Sequence, residues 1–134
     1  MSSPCIFCQI VNGKIPAEKI YEDNNTLAFL DINPLCRGHV LVIPKKHYEN
    51  IFDLPSKELI NLIATAQKIA QMIKKNLGAT GINLLHASGK DAQQSVFHFH
   101  IHVVPRYPND GLNTWPSSRY QEKDLRKVKK ALCQ

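Results

Sequence analysis

No stretch of the 134 residues approaches the roughly 20 consecutive apolar positions that a membrane-spanning helix requires. The opening Met1-Ser2-Ser3-Pro4-Cys5 has neither the basic segment nor the apolar run of an export signal. Both absences point to an intracellular, cytoplasmic protein with no membrane partner. No repeat recurs and no linker divides the chain, so residues 1–134 read as one domain. Acidic residues are the scarcer charge, 11 against 17 Lys and Arg, and the net +6 favours anionic partners. That excess gathers near the end, in Lys123, Arg126, Lys127, Lys129 and Lys130. Leu125, Val128 and Leu132 recur beside them at helical spacing, and no aromatic side chain interleaves with the charges. A solvated basic helix over about 119–133 fits this pattern better than a nucleic-acid surface.

Disulfides are not expected from four cysteines in a cytosolic chain. Cys36 and Cys133 stand alone. Cys5 and Cys8 form a C-x-x-C, which has both redox and metal readings and gains meaning only if histidines meet it in space.

A hydrophobic fraction of 43% with mixed charges is that of a globular chain. Residues 5–12 read as a short helix that stops at Asn12-Gly13. Three strands follow in a core that spans 19–105: a short one at 20–22, one at 26–32, and an apolar β-branched one at 39–43 that ends at Pro44. Their tight links predict an antiparallel meander. From Ser56 to Leu77 the period changes to 3.6, with Leu59, Leu62, Ile63, Ala66, Ile69, Ala70, Ile73 and Leu77 in one stripe. Ser56 or Asp53 is the expected N-cap and Gly78 the expected stop. A fourth strand covers 82–87, and a polar loop from Ser88 leads into a fifth. The expected fold is α+β: a five-stranded, mostly antiparallel sheet with one long helix on one face.

The fifth strand carries the chemistry. Over 97–104, a period of two puts His98, His100 and His102 on one face and Phe97, Phe99, Ile101 and Val103 on the other. Pro105 is expected to end it by denying the ladder a donor. The apolar row is ordinary core. Three alternating imidazoles are poor packing, so they read as functional and belong on the face away from the helix.

Two chemistries fit such a row. It could bind zinc with an open water position and activate that water for hydrolysis. Alternatively, one neutral imidazole could attack phosphorus while its neighbours hold phosphate oxygens and protonate the leaving group. Such a nucleophile must be held in one tautomer. Gln94 and Ser95 at the strand entrance suit phosphate oxygens or a leaving group, and His39 could add a fourth imidazole, which favours the second reading.

The segment His98-Phe99-His100-Ile101-His102-Val103-Val104, preceded by Gln94-Ser95-Val96, resembles the signature of the histidine triad (HIT) family. Cys5-Ile6-Phe7-Cys8-Gln9-Ile10, Phe29-Leu30-Asp31-Ile32-Asn33-Pro34 and residues 38–47 resemble further family segments in the same order, closest to its prokaryotic Hint-like branch. The resemblance implies a homodimer with a continuous sheet that hydrolyses purine nucleotide conjugates at the α-phosphate through a covalent nucleotidyl-histidine intermediate. It makes His100 the nucleophile, with the His98 carbonyl fixing its tautomer. His102 and His39 would contact the phosphate, and Ser95 the phosphate or leaving group. Asp31 would accept from the ribose hydroxyls. Ile6, Phe7, Ile10, Phe29, Ile32 and Leu41 would form the purine slot. It also implies one structural zinc on Cys5, Cys8, His47 and His98, a closed set of two thiolates and two imidazoles. Two positions depart from the family pattern: Ala87 stands where Asn is usual, and Gln93 where a small residue is usual. The extra His86 receives no role. A binding or scaffold module with vestigial activity is the alternative.

Overall fold

The computed structural model describes residues 5–134, so the opening Met1–Pro4 on which the export reading partly rests lies outside the described residues. In chain order the elements are α1 (Ile6–Val11), β1 (Lys19–Glu22), β2 (Thr26–Leu30), β3 (Val40–Pro44), α2 (Ser56–Leu77), β4 (Gly81–Leu85), β5 (Ile101–Arg106) and α3 (Leu125–Cys133). The strands form one five-stranded sheet in the order β1-β2-β3-β5-β4. Every neighbouring pair in it is antiparallel, and β1-β2-β3 is the expected meander. No helix among the described residues is long and apolar enough to cross a membrane.

The period of two decides what each face of this sheet holds. Ala28, Val40, Val42, Ile101 and Val103 point one way and pack under Leu62, Ala66, Ile69 and Ile73 of α2. Leu27, Phe29, Leu41 and Ile43 point the other way and meet Phe7 and Ile10 of α1. The helix therefore closes one face, while α1 covers only part of the second. α2 ends at Gly78 in the left-handed conformation expected of a C-cap. Its N-cap is Pro55, not Ser56 or Asp53, and Pro55 makes no side-chain cap bond. Asp53 is instead spent on the preceding turn, accepting from the Glu49 and Asn50 N–H groups. Ile63, expected in the stripe, lies at its edge and is about half exposed.

Several strand limits move, and the movement matters at β5. Its ladder begins at Ile101, so residues 97–100 lie outside it. Hydrogen bonding to other partners explains this: the Phe99 N–H donates to the Tyr48 carbonyl at 2.7 Å, and the Gln94 side-chain amide donates to the Glu49 and Val96 carbonyls. The backbone nonetheless keeps the alternation, with Phe99 in the α2 core and His98 and His100 buried on the opposite side. Phe97 departs from its expected core row and is 43% exposed. Pro105 does not end the strand but sits inside it opposite Ile82. It is tolerated because β3 pairing stops at Val103, and the Cys36 thiol, not a backbone N–H, reaches its carbonyl at 3.1 Å. β2 and β4 end earlier than expected, at Leu30 and Leu85. α3 starts at Leu125 rather than about 119, capped by the Asp124 carboxylate, which accepts from the Lys127 N–H.

Candidate active site and metal centre

On the face opposite α2, a cleft of about 340 Å³ opens between α1, β2 and the histidine segment. Its lining includes Ile6, Phe7, Ile10, Phe29, Asp31, Ile32, Leu41, Ser95, His100 and His102. Phe7, Ile10, Phe29 and Leu41 are nearly fully buried and form its floor, whereas Ile6 and Ile32 stand exposed at its rim. Phe7 sets its ring edge-on to Phe29 at 5.6 Å and to His100 at 5.2 Å, which ties the apolar end of the cleft to the imidazoles.

The three histidines do not converge on one point. His100 Nδ1 donates to the His98 carbonyl at 2.8 Å, so a neutral ring has its Nε2 bare. Burial lowers the pKa of His100 from its ordinary value, which favours that neutral form. His102 Nδ1 lies 2.9 Å from His39 Nε2. The direction of that bond follows from the far side of His39, whose Nδ1 accepts the Leu35 N–H at 3.0 Å. A neutral His39 must then carry its proton on Nε2 and donate to His102, leaving His102 protonated on its own Nε2. Burial, with the neighbouring imidazoles of His100 and His39, pushes His102 down to about 4. A bare nitrogen and a proton donor thus stand side by side, with ring centres 5.0 Å apart. Asp31 accepts the Asn33 N–H on one carboxylate oxygen and has the other 3.6 Å from His39 Nε2.

His98 belongs to a different cluster. Its Nε2–H donates to the Pro44 carbonyl at 2.8 Å, which leaves Nδ1 bare and facing Cys5, Cys8 and His47. The Cys5 and Cys8 sulfurs lie 3.4 and 3.6 Å from His98 Nδ1, and the two imidazole Nδ1 atoms lie 3.2 Å apart. The Cys8 sulfur lies 3.4 Å from His47 Nδ1. Ligand bonds of about 2.0 and 2.3 Å in a tetrahedron put N···N and N···S edges at roughly 3.3–3.6 Å. The cluster already has those edges, and the Pro44 carbonyl holds His98 as a metal ligand requires. Without a cation, burial and the Cys5 thiol push the Cys8 thiol up to about 11; ligation would reverse that, because the thiolate is the ligand. Asp31, His39 and His102 also lie within metal-binding reach of one another. The proton that the Leu35 N–H forces onto His39 Nε2 argues against a cation there.

A HIT domain family model matches residues 12–109. The chain belongs to the HIT family. An uncharacterized HIT-like protein of Methanocaldococcus jannaschii is 51% identical over 107 residues, 80% of this chain and 82% of that protein. The adenylylsulfatase HINT3 of Arabidopsis thaliana is 37% identical over 131 residues, 98% of this chain and 66% of its own length. A crystal structure of a Zn-bound histidine triad family protein from Mycobacterium smegmatis superposes with a TM-score of 0.80 at 42% identity, covering 96% of this chain and 90% of that one.

Most of the expected site residues of this HIT protein converge, with two exceptions among the polar ones. His39, expected on the phosphate, is buried behind His102, and both its ring nitrogens are spent on Leu35 and His102. Gln94 is buried away from the cleft, its amide spent on the Glu49 and Val96 carbonyls and its Oε1 accepting the Gly89 N–H. It shapes the loop that presents Ser95 and is not free for a ligand. Gln93 adopts φ +70°, which explains why a small residue suits that position. Ile15, Pro16 and Ala17 also line the cleft, placed there by a connection whose sequence carries no chemical signal. The Leu35 N–H and the Tyr48 carbonyl, both backbone groups, are equally invisible to residue-type reasoning.

Proposed function

We propose that this protein hydrolyses purine nucleotide conjugates at the α-phosphate, of phosphoramidate or dinucleoside polyphosphate type, through a covalent nucleotidyl-histidine intermediate. The observation that carries this reading is His100, tautomer-locked by the His98 carbonyl with Nε2 bare beside an apolar cleft. The purine would enter between Ile6 and Ile32 above Phe7, Ile10, Phe29 and Leu41, with Asp31 accepting from the ribose hydroxyls. His100 Nε2 attacks the α-phosphorus, and the N–P bond forms as the bond to the leaving group breaks. The leaving group takes the proton that His102 carries on Nε2, a tautomer that His39 fixes from behind, while Ser95 holds phosphate oxygens or the departing group. Water then cleaves the N–P bond and releases the nucleoside monophosphate. The relative named an adenylylsulfatase supports chemistry at an adenylyl phosphate.

Zinc is the cation we place on Cys5, Cys8, His47 and His98, by likeness to the Zn-bound neighbour. Four protein ligands close the site, so the metal supplies no reaction chemistry and joins α1 to the segment that carries His98. We also propose a homodimer that continues the sheet across β4. β1, the other edge, is blunted by Lys19, Glu22 and a register shift, whereas β4 is regular and uncharged. Incubation with adenosine phosphoramidate should release AMP, and His100→Ala should lose at least about 10³-fold in rate. Activity of His100→Ala equal to wild type would refute the mechanism. Ala87 offers no hydrogen bond where relatives usually have Asn, which favours a second reading as a nucleotide-binding module. Tight AMP binding without turnover of any conjugate would select it.

A further inference from the structure

His86 received no role from its sequence position, yet its ring makes contacts that end at the nucleophile. Its Nδ1 lies 2.9 Å from the carbonyl oxygen of His100. A carbonyl can only accept, so His86 donates from Nδ1 and its neutral ring has a bare Nε2. That Nε2 meets the Ser88 hydroxyl in a short contact, and Ser88 Oγ accepts the Ile51 N–H at 2.9 Å. Every donor in this line therefore has an acceptor: Ile51 N–H to Ser88, Ser88 O–H to His86, and His86 N–H to His100. The ring also stacks on Phe99, with centroids 4.3 Å apart and planes 29° from parallel. Stacking and two hydrogen bonds leave the imidazole one orientation.

The His100 carbonyl needs such a partner. β5 begins at Ile101 and the β4–β5 ladder stops at the pair Leu85–His102, so the carbonyl lies outside the regular sheet. One residue earlier, the Phe99 N–H has likewise left the ladder for the Tyr48 carbonyl. The backbone under the nucleophile is thus held by side-chain and loop contacts rather than by strand pairing.

We propose that His86 is a positioning residue for His100: its Nδ1–H, oriented through Ser88 and Ile51, pins the His100 carbonyl and so fixes where Nε2 stands relative to the phosphorus. This role rests on the hydrolase reading for its consequence in rate, but the hydrogen bond itself does not. Loss of the bond leaves the ring chemistry of His100 intact and loosens its placement, which lowers kcat and spares the nucleotide contacts that set KM.

Three variants of the zinc-loaded full-length chain separate the possibilities. His86→Phe keeps a ring on Phe99 and removes both nitrogens. His86→Gln places an amide near the old Nε2, towards Ser88, and His86→Asn places one near the old Nδ1, towards the His100 carbonyl. On adenosine phosphoramidate, His86→Phe and His86→Gln should lose about tenfold in kcat with KM within about twofold, and His86→Asn should stay within about threefold of wild type. Wild-type kcat in His86→Phe, or equal losses in all three variants, would overturn the proposal. Should wild-type protein turn over no conjugate, the hydrolase reading fails, and the pinning is decided by the ring itself. Nitrogen-15 histidine spectra at about pH 8 should show His86 with its proton on Nδ1. A proton on Nε2 would overturn the proposal whatever the activity.

Discussion

At the scale of single residues, direction of donation separates groups that spacing made alike. Alternation identified His98, His100 and His102 as a functional row, and family resemblance divided their work. Resemblance also implied the His98 carbonyl as the partner of His100, but neither it nor residue type pointed to the backbone partners of the other two rings: Pro44 for His98, and Leu35 through His39 for His102. These partners decide which nitrogen is bare, and with it the proposed difference between ligand, nucleophile and acid. The relay through His39 makes a prediction of its own. His39→Phe removes the donor to His102 Nδ1 and frees its proton to sit on either nitrogen. Release of AMP should then slow by about 10²-fold, more for poor leaving groups than for good ones, in steady-state assays across a leaving-group series. A uniform loss across the series would assign His39 to binding alone. Gln94 shows the opposite failure of residue-type reasoning: its amide suits a phosphate, but the loop consumes it.

At the scale of elements, the long helix was legible from its period and the meander from its short links; the start of β5 was not. Nothing in residues 97–100 marks them as outside a ladder, since the cause is the Tyr48 carbonyl on a distant loop. The turn before β3 is equally sensitive. Gly38 has φ +90°, and an added Cβ would lie 2.6 Å from Leu77 Cδ1 and 3.3 Å from Pro105 Cγ. Gly38→Ala should therefore lower stability by roughly 1–3 kcal/mol, read as a drop in Tm, because it meets both a strained φ and a steric clash. It should also disturb His39, the next residue. The N-terminal element depends on its cluster in another way. A Cys5→Ser/Cys8→Ser variant should lose its zinc, about one per chain by metal analysis, and melt at lower temperature. Retained zinc in that variant would remove the cluster from the account.

For the whole molecule, the sheet has two characters: a closed face under α2 and a working face that α1 covers only in part. Keeping neutral imidazoles on that second face has a cost in acid. His102 is held down to about 4 against an ordinary 6.5, so below about 6.5 the unfolded chain binds a proton that the folded chain refuses. Its contribution is complete above the unfolded value and is lost as pH falls from about 6.5 towards 4, at up to roughly 1.4 kcal/mol per pH unit. Denaturant titrations should show stability falling across that window, and His102→Gln should flatten the slope. The proposed dimer is likewise a matter of the whole molecule. Leu84 on β4 is 48% exposed, and Leu84→Lys should shift the protein from dimer to monomer in light scattering. A wild-type monomer, or a dimer that survives the change, would move the interface elsewhere.

The covalent role of His100 is the claim on which the rest depends, and the stereochemistry at phosphorus tests it directly. Hydrolysis of a chiral α-phosphorothioate analogue of adenosine phosphoramidate in oxygen-18 water has two possible outcomes. Attack by His100 followed by attack by water inverts phosphorus twice, so the account predicts net retention of configuration. Net inversion would mean a single displacement by water, and His100 would not be the nucleophile.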